Sequence, residues 1–474
     1  MLRRYTCNAI NIKHINQNVV LYGWIYKIRN FGNIMFIDLK DKYGIIQLIV
    51  NYEIIESMPH LGLEYVIQVY GKVIERKSKN KTISTGSIEI LVNNIVILNK
   101  SLSLPFDINN NRNNHTDDLK SKYRYLELRS DYLQYNLHFR NELNYNIRNF
   151  FYKKKFIEIE TPFLIKSMPE GSRDFIIPSR IYNNKFYALP QSPQLLKQLL
   201  MIAKYDKYYQ IVKCFRDEDF RSDRQPEFTQ LDCEMTFINE NNVMKLIENL
   251  ITKLFYKMLN YKIDKFDIIK YKDAIKYYGT DKPDLRFDMK FIDFSKLQKN
   301  KNETLIGFNI ENYNLKKNII SEIISIVKSF NNNEISLIFF DVKSNKYKTI
   351  GKTIPFNDLY KYAKLNKKDM IILVSGNIDD VRVMLSNLRI SIGKIFIKNR
   401  NIYKAVWVTE FPLFQWDKMN NKWKSMHHPF TSPQHFDQLC NQYNLEFMTS
   451  KSYDIVINGI EIGGGSIRIH DYIT

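Results

Sequence analysis

The chain has 474 residues, 44% of them hydrophobic, which supplies several packed cores, excludes wholesale disorder and fits two to four domains. The formal net charge of +20 marks either a polyanionic partner or anionic substrate, or a lysine-rich surface that keeps the protein soluble. The four cysteines (Cys7, Cys214, Cys233, Cys440) form no CxxC pair, the start has no signal-peptide core, and no run approaches the ~18 apolar residues of a membrane helix. Zinc knuckle, disulfide scaffold and membrane protein are thus disfavoured, and a reducing cytoplasm fits. Lys, Asn, Ile, Tyr and Phe all have AT-rich codons, so genome composition is a second source of the charge.

Residues 1–104 read as β. Apolar runs at 19–25, 34–39, 45–50, 65–73 and 88–92 are punctuated by Gly23, Gly32, Gly44, Gly71 and Gly86. Strands this short and this many suit an OB-type barrel, with another small barrel or a sandwich as the alternative. Alternation puts Met35, Ile37 and Leu39 on the core side and turns Phe36 outward. It likewise sets Gln47 opposite Ile46, Leu48 and Val50, and Glu89 opposite Ile88, Ile90 and Val92. An outward aromatic beside amide and carboxylate groups is what base stacking and base-edge reading need. An ordinary amphipathic barrel with an incidental surface Phe gives the same pattern.

Residues 105–130 read as a linker, with an Asn-rich stretch at 109–114. Leu143, Ile147, Phe150 and Phe151 recur at helical spacing within 131–152. A strand ending at Pro162 follows, and 208–238 has the pattern strand, charged loop, strand. Residues 131–280 are read as the first part of a core. Residues 281–404, rich in Lys and Asn, read as an inserted α+β domain, with a helix at 315–330 and a strand at 337–342. β character resumes over 405–474, the second part of the core.

The densest chemistry lies at 214–234. In its second strand Phe228, Gln230, Asp232, Glu234 and Thr236 share one face; Thr229, Leu231, Cys233, Met235 and Phe237 share the other. One apolar face and one row of acceptors make half core, half polar site. The loop carries Arg216, Arg221 and Arg224, whose forked guanidinium groups suit phosphate oxygens. A solvated hairpin with surface ion pairs is the plainer reading. A second signal is Glu461-Ile-Gly-Gly-Gly-Ser-Ile-Arg-Ile-His470. There Ser466, Arg468 and His470 alternate against Ile467 and Ile469, and three glycines let a ligand lie against backbone. A Gly-Gly-Gly run is also a common flexible turn. Smaller signals are Pro169-Glu-Gly-Ser-Arg-Asp174 and Met426-His-His-Pro-Phe430.

Taken in order, Arg124-Tyr-Leu-Glu-Leu-Arg129, the helix leading to Ile159-Glu-Thr-Pro162, Glu170-Gly-Ser-Arg-Asp174, Ala188-Leu-Pro-Gln-Ser-Pro-Gln-Leu195, the hairpin at 215–234, Met426-His-His-Pro-Phe-Thr-Ser-Pro433 and the Gly-rich strand resemble the bacterial aspartyl-tRNA synthetases. Lysyl- and asparaginyl-tRNA synthetases share the layout; the motif combination and the inserted segment favour the aspartyl branch. The resemblance implies an α+β multidomain fold: an OB-fold β-barrel, a class II antiparallel-sheet catalytic core and an inserted α+β domain. It implies ATP and Mg2+, tRNA-Asp as partner, a homodimer around Pro162 and its helix, and a cytoplasmic enzyme.

Residue by residue, the resemblance assigns Arg468 and Lys197 to the aspartate side chain. It assigns Glu170, Ser192, Gln194 and Asp232 to the substrate amine and its surroundings, and His427 to closure over the amino acid. Arg216 would bind the α-phosphate and the substrate carboxylate, and is catalytic with Glu218. Asp217, Glu218, Gln225, Phe228 and Glu461 would contact ATP, with Phe228 stacking on adenine. Asp454 and Glu461 would hold magnesium. Arg29, Phe36, Gln47 and Glu89 match anticodon-reading positions. The family continues beyond the Gly-rich strand to a Gly-Leu-(Asp/Glu)-Arg motif whose arginine binds the γ-phosphate; these 474 residues contain none. The expectation is a synthetase with weakened activity on its own. The alternatives are a tRNA-binding remnant and a relaxed enzyme charging both tRNA-Asp and tRNA-Asn.

Overall fold

The computed structural model describes residues 5–57, 59–108, 116–168, 172–219, 224–297, 303–310, 317–330, 335–341, 346–350, 359, 362, 369–397, 401–417, 420–435 and 445–470. The Asn-rich stretch 109–114, Pro169, Glu170, Arg221 and Cys440 lie outside these residues. Two units are defined, Met1–Tyr135 and Asn136–Thr474.

In the first unit the alternating runs close into a barrel. Its strands are β1 (Asn18–Asn30), β2 (Ile34–Asp41), β3 (Gly44–Asn51), β4 (Val66–Glu75) and β5 (Ile88–Asn99), in the order β1-β2-β3-β5-β4. A short helix, α1 (Tyr52–Ser57), links β3 to β4. Closure removes sheet edges and buries Leu21, Ile25, Ile37, Leu39, Ile46, Leu48, Val50, Ile67, Val69, Val73, Ile88 and Ile90 in one core. Gly71 sits at a bulge in the β4–β5 pairing. A Cβ there would lie 2.5 Å from the Leu91 carbonyl oxygen, so the close strand approach needs glycine. Two short helices follow, α2 (Asp117–Lys122) and α3 (Arg124–Glu127). They fall in the expected linker, where Leu126 packs with Phe106 and Ile108.

The long helix α4 (Asp131–Lys153) carries the predicted apolar stripe. Ile147, Phe150 and Phe151 are buried, and Leu143 packs against them. The strand expected to end at Pro162 is shorter: β6 spans Ile157–Glu158, parallel to the later strand β9. Next come β7 (Ile176–Pro178), β8 (Phe186–Ala188), α5 (Gln194–Ile202), β9 (Lys207–Phe215) and β10 (Glu227–Met235). β10 pairs antiparallel with β9 in the sheet β10-β9-β6. Of its expected apolar face Leu231, Cys233 and Met235 pack against Phe151, Tyr209 and Leu250, but Phe237 lies beyond the strand end, at φ +55°, and is exposed. Behind them runs α6 (Glu240–Leu259), capped at its start by Asn239.

A second sheet has the order β11-β17-β20-β21: β11 (Phe266–Lys270), β17 (Ala405–Thr409), β20 (Ser452–Ile457) and β21 (Ile460–Ser466). The β6–β9 and β11–β17 pairs are parallel, so the core sheets are mixed rather than purely antiparallel. Between β11 and β17, after α7 (Tyr271–Tyr278), lies a five-stranded sheet of order β12-β13-β16-β14-β15. Its strands are β12 (Ile292–Asp293), β13 (Thr304–Ile310), β14 (Ile335–Asp341), β15 (Lys346–Ile350) and β16 (Met370–Gly376). Helices α8 (Lys317–Ser329) and α9 (Ile378–Phe396) cover one face through Ile323, Val327, Leu385 and Leu388. After β17 a hairpin of β18 (Phe414–Asp417) and β19 (Lys422–Ser425) leads into the His427–His428 segment.

Candidate active site

Four elements meet on the polar face of β10. The β9–β10 register sets Asp232 opposite Gln210 and Glu234 opposite Tyr208, and the two-residue repeat turns Phe228, Gln230, Asp232 and Glu234 to one side. From α5, the buried Lys197 ammonium donates to Asp232 Oδ1 at 2.7 Å and lies 3.1 Å from Glu234 Oε2. Burial works against its charge, but Asp232 and Glu234 outweigh this and raise its pKa.

Arg468 reaches the same carboxylates from the Gly-rich segment. Its Nε is 3.4 Å from Glu234 Oε1, and its terminal nitrogens donate to Gln194 Oε1 at 2.8 Å and Ser466 Oγ at 2.7 Å. A terminal nitrogen also meets His428 Nε2, and the guanidinium lies over the Phe430 ring. Asp232, Lys197, Glu234 and Arg468 thus form a charge-balanced chain in a part-buried site, where unpaired ions would be costly. Asp232 Oδ2 and Gln194 Nε2 remain buried without a hydrogen-bond partner. Ser192, next to Pro193, lies on the chain leading into α5.

The strand placement of Arg468 differs from expectation. β21 stops at Ser466; Arg468 lies beyond it, bridged to Thr431 rather than paired with β20. The Gly-Gly-Gly run is not a turn but part of β21. Gly464 faces Asp454 in register, and a Cβ there would sit 2.2 Å from Asp454 Oδ1. The glycine therefore makes room for a buried carboxyl.

His428, Glu234 and Ser466 were not assigned roles from the sequence. The i, i+2 repeat from Asp232 pointed to Glu234, and the adjacent His pair pointed to His428. His428 stacks on Phe430, with Nδ1 at 2.9 Å from Thr431 Oγ1. Burial first, then Arg468, His427 and Lys197, push its pKa down to about 3. It is neutral, and so able to accept at Nε2. His427 packs edge-on against Phe411, and its Nε2 is buried without a partner. Burial lowers its pKa, against the pull of Glu461 and Asp281.

Arg216 lies over the Phe228 ring, 5.1 Å from its centroid, with its Nε buried and unpartnered. Its backbone N–H is tied to Pro226, and that of Asp217 donates to the Arg173 carbonyl. Glu218 accepts from Ser172 and pairs with Arg224 at 3.4 Å. Gln225 is exposed beside Pro226. Asp454 is buried; burial, then Glu461 and Asp281, push its carboxyl up to about 8. Glu461 pairs with Lys282 at 2.7 Å.

In the first unit the barrel surface needs a correction. Gln47 and Glu89 are not solvent-facing: they are 5% and 4% exposed. Gln47 donates to Glu89 Oε2 at 2.7 Å and accepts from Arg29, which also donates to Asp38 at 2.7 Å. A four-residue polar network crosses β1, β2, β3 and β5, because adjacent strands bring its short reaches into contact. Phe36 is half-buried, edge-on to the exposed Phe31.

The model for class II tRNA synthetases (D, K and N) matches residues 116–474, and the OB-fold nucleic acid binding domain matches residues 19–98. Fold and site therefore define a class II synthetase with an OB-fold module. Among curated relatives, the aspartate–tRNA ligase of Mycoplasma mycoides is 43% identical, over 99% of this chain and 83% of its own. That of Flavobacterium psychrophilum is 42% identical, over 100% and 84%. A solved structure of a putative aspartyl-tRNA synthetase from Leishmania major aligns with TM-score 0.61 at 18% identity, covering 98% of this chain and 81% of that one. Asparaginyl-tRNA synthetase from Pyrococcus horikoshii aligns at 0.53 and 18%, over 82% and 97%. The chain belongs to the aspartate–tRNA ligase family of class II tRNA synthetases.

Proposed function

We propose that the residues on the polar face of β10 carry the family reaction in two steps. The aspartate α-carboxylate attacks the α-phosphorus of ATP, forming aspartyl-adenylate and releasing pyrophosphate. The terminal ribose hydroxyl of tRNA-Asp then takes the aspartyl group and AMP leaves. No protein nucleophile is needed; catalysis is positioning and charge stabilisation.

The Asp232–Lys197–Glu234–Arg468 chain carries this reading. Its two cations suit the side-chain carboxylate of aspartate, and Asp232 Oδ2, buried without a partner, suits the substrate ammonium. Gln194, which accepts from Arg468, and Ser192 are read as the surroundings of the substrate amine, and so is Glu170, which lies outside the described residues. Arg216, with an unpartnered Nε over Phe228, suits an α-phosphate; adenine would take its place against the ring. Asp217, Glu218 and Gln225 complete the ATP side, and His427 closes over the amino acid.

Asp454 and Glu461 suit magnesium. Asp454 is buried opposite Gly464, which leaves room for its carboxyl, and Glu461 lies near enough to help burial push that carboxyl up to about 8. Two protein carboxylates also match a metal that takes its other ligands from phosphates and water. Magnesium would supply neutralisation of phosphate charge.

On the barrel, Phe36 offers a stacking face, and Arg29, Gln47 and Glu89 a preformed hydrogen-bonding network for anticodon bases. The domain limits 1–104, 105–130, 131–280, 281–404 and 405–474 are supported by the last barrel strand ending at Asn99 and by the separate sheet over 292–376. A homodimer through α4 and the segment to Pro162 is supported by exposed Leu137, Tyr145, Tyr152, Ile157, Phe163 and Leu164. A cytoplasmic site of action fits tRNA charging. Aspartate-dependent pyrophosphate exchange, followed by charging of tRNA-Asp and tRNA-Asn transcripts, tests the assignment. Exchange with aspartate but not lysine is expected, and charging of tRNA-Asn as well would make the enzyme non-discriminating. Exchange that survives loss of both Lys197 and Arg468 would overturn the pocket.

A further inference from the structure

We propose that the Lys282 ammonium is a built-in counter-cation that competes with a divalent metal ion for the Asp454–Glu461 carboxylates. The inference rests on the reading of those two residues as metal holders. Lys282 belongs to neither β20 nor β21; it lies on the segment after α7, at the entry to the inserted sheet. Its Nζ is 2.7 Å from Glu461 Oε2, and both side chains are a little over one-third exposed.

The backbone that carries Lys282 is held from three sides. Its own N–H donates to Thr280 Oγ1 at 3.1 Å. Two residues on, Asp284 is forked by Arg286, with contacts from 2.6 to 3.2 Å. The Asp284 and Phe287 carbonyls accept from Arg389 of α9 at 2.9 Å, and Met289 does so at 3.0 Å. Arg389 is 1% exposed, sandwiched between the Tyr278 and Phe287 rings. At the β20–β21 turn, Gly459 has φ +80°, and a Cβ there would lie 3.2 Å from Asp284 Cβ. The segment thus runs against the turn that joins the two carboxylate-bearing strands.

A side chain tethered this way keeps its charge near Glu461 at a high local concentration. A metal ion meets the carboxylate already neutralised and must displace the ammonium. Without nucleotide phosphates as additional ligands, divalent affinity is held down, so metal and ATP load together. The contribution is that of one part-exposed ion pair, about three- to fivefold in affinity.

The test is Mn2+ binding to the full chain without nucleotide, followed by electron paramagnetic resonance at low ionic strength. Lys282→Met should bind Mn2+ three- to fivefold more tightly than wild type, and Lys282→Arg should not. Unchanged or weaker binding by Lys282→Met overturns the competition while leaving the metal reading intact, provided Glu461→Gln loses Mn2+. Should Glu461→Gln bind as well as wild type, the metal reading fails and the competition with it. A second readout needs no substitution: Mg2+ should raise the acetylation rate of Lys282 relative to the exposed Lys13, and an unaltered ratio counts against displacement.

Discussion

Each charged side chain in the pocket is held by a neighbour of opposite or neutral character, and single substitutions should expose this. Arg468→Leu removes the guanidinium shared by Glu234, Gln194 and Ser466. A bound aspartate would then bury its carboxylate without that partner, at a cost of roughly 3–5 kcal/mol. Calorimetry should show the loss, and unchanged aspartate affinity would remove Arg468 from the pocket. His428 gives a pH signature. Around it stand Arg468, His427 and Lys197, all of which oppose its protonation. Above the ordinary histidine value of 6.5 neither folded nor unfolded chain protonates it. As pH falls from 6.5 toward about 3, the unfolded chain binds a proton that folded His428 refuses, so stability drops. Urea unfolding of wild type and His428→Gln at pH 7 and 4.5 should show the wild type losing more, by up to about 1.4 kcal/mol per pH unit. A pH-independent difference would mean that His428 titrates normally.

β21 and the barrel strands make element-scale claims. Gly464 is required by Asp454, whereas a Cβ on Gly463 would meet only Ile455 Cγ2 at an ordinary 3.7 Å. Gly464→Ala should therefore cost about 1–3 kcal/mol through forced repacking, and Gly463→Ala less than about 1 kcal/mol. Thermal melts of the two variants check this, and equal effects would mean that the strand simply tolerates no side chain. In the barrel, Phe36→Ala should weaken tRNA binding by about 1–3 kcal/mol, the worth of one stacked base. Filter binding at matched salt measures it; equal affinities would leave backbone charge as the sole attraction.

At the scale of the molecule, the barrel and the synthetase core belong to separate compact units. Each has its own core, which the single-site variants should respect. Phe36→Ala should leave aspartate-dependent pyrophosphate exchange within about twofold of wild type, and Arg468→Leu should keep tRNA affinity, since sites without shared partners perturb additively. A parallel fall in both activities for either variant would show that the units are coupled. The inserted sheet bears on the core through the Lys282 segment, where Arg389 donates to three backbone carbonyls. Burial pushes its pKa down to about 10 despite Tyr278, Asp284 and Asp288. That is a costly group, used to fix a length of chain without regular structure.

What the sequence alone determined was most of what depends on local period, the strand ends near Pro162 and Arg468 excepted. Alternation located the barrel strands and sorted the two faces of β10 as far as Met235, but not Phe237, which lies past the strand end and is exposed. Helical spacing found α4, and alternation within the dense motifs singled out Asp232 and Arg468, whereas Lys197 and Asp454 were offered only by the family resemblance. A strand's two-residue repeat is written in consecutive side chains, so it survives in one dimension. What only the tertiary structure decided was which face of an element meets which neighbour. Gln47 and Glu89 face away from the barrel's apolar interior, yet each is buried by a partner on the adjoining strand. The Gly-Gly-Gly run became a strand because Asp454 lies opposite it. His428 is neutral because it is buried and because Arg468, distant in sequence, is folded against it, and Lys282 found Glu461 across a long loop closure. Charge and hydrogen bonding act through space over a few ångströms, and the linear order of residues does not record those distances.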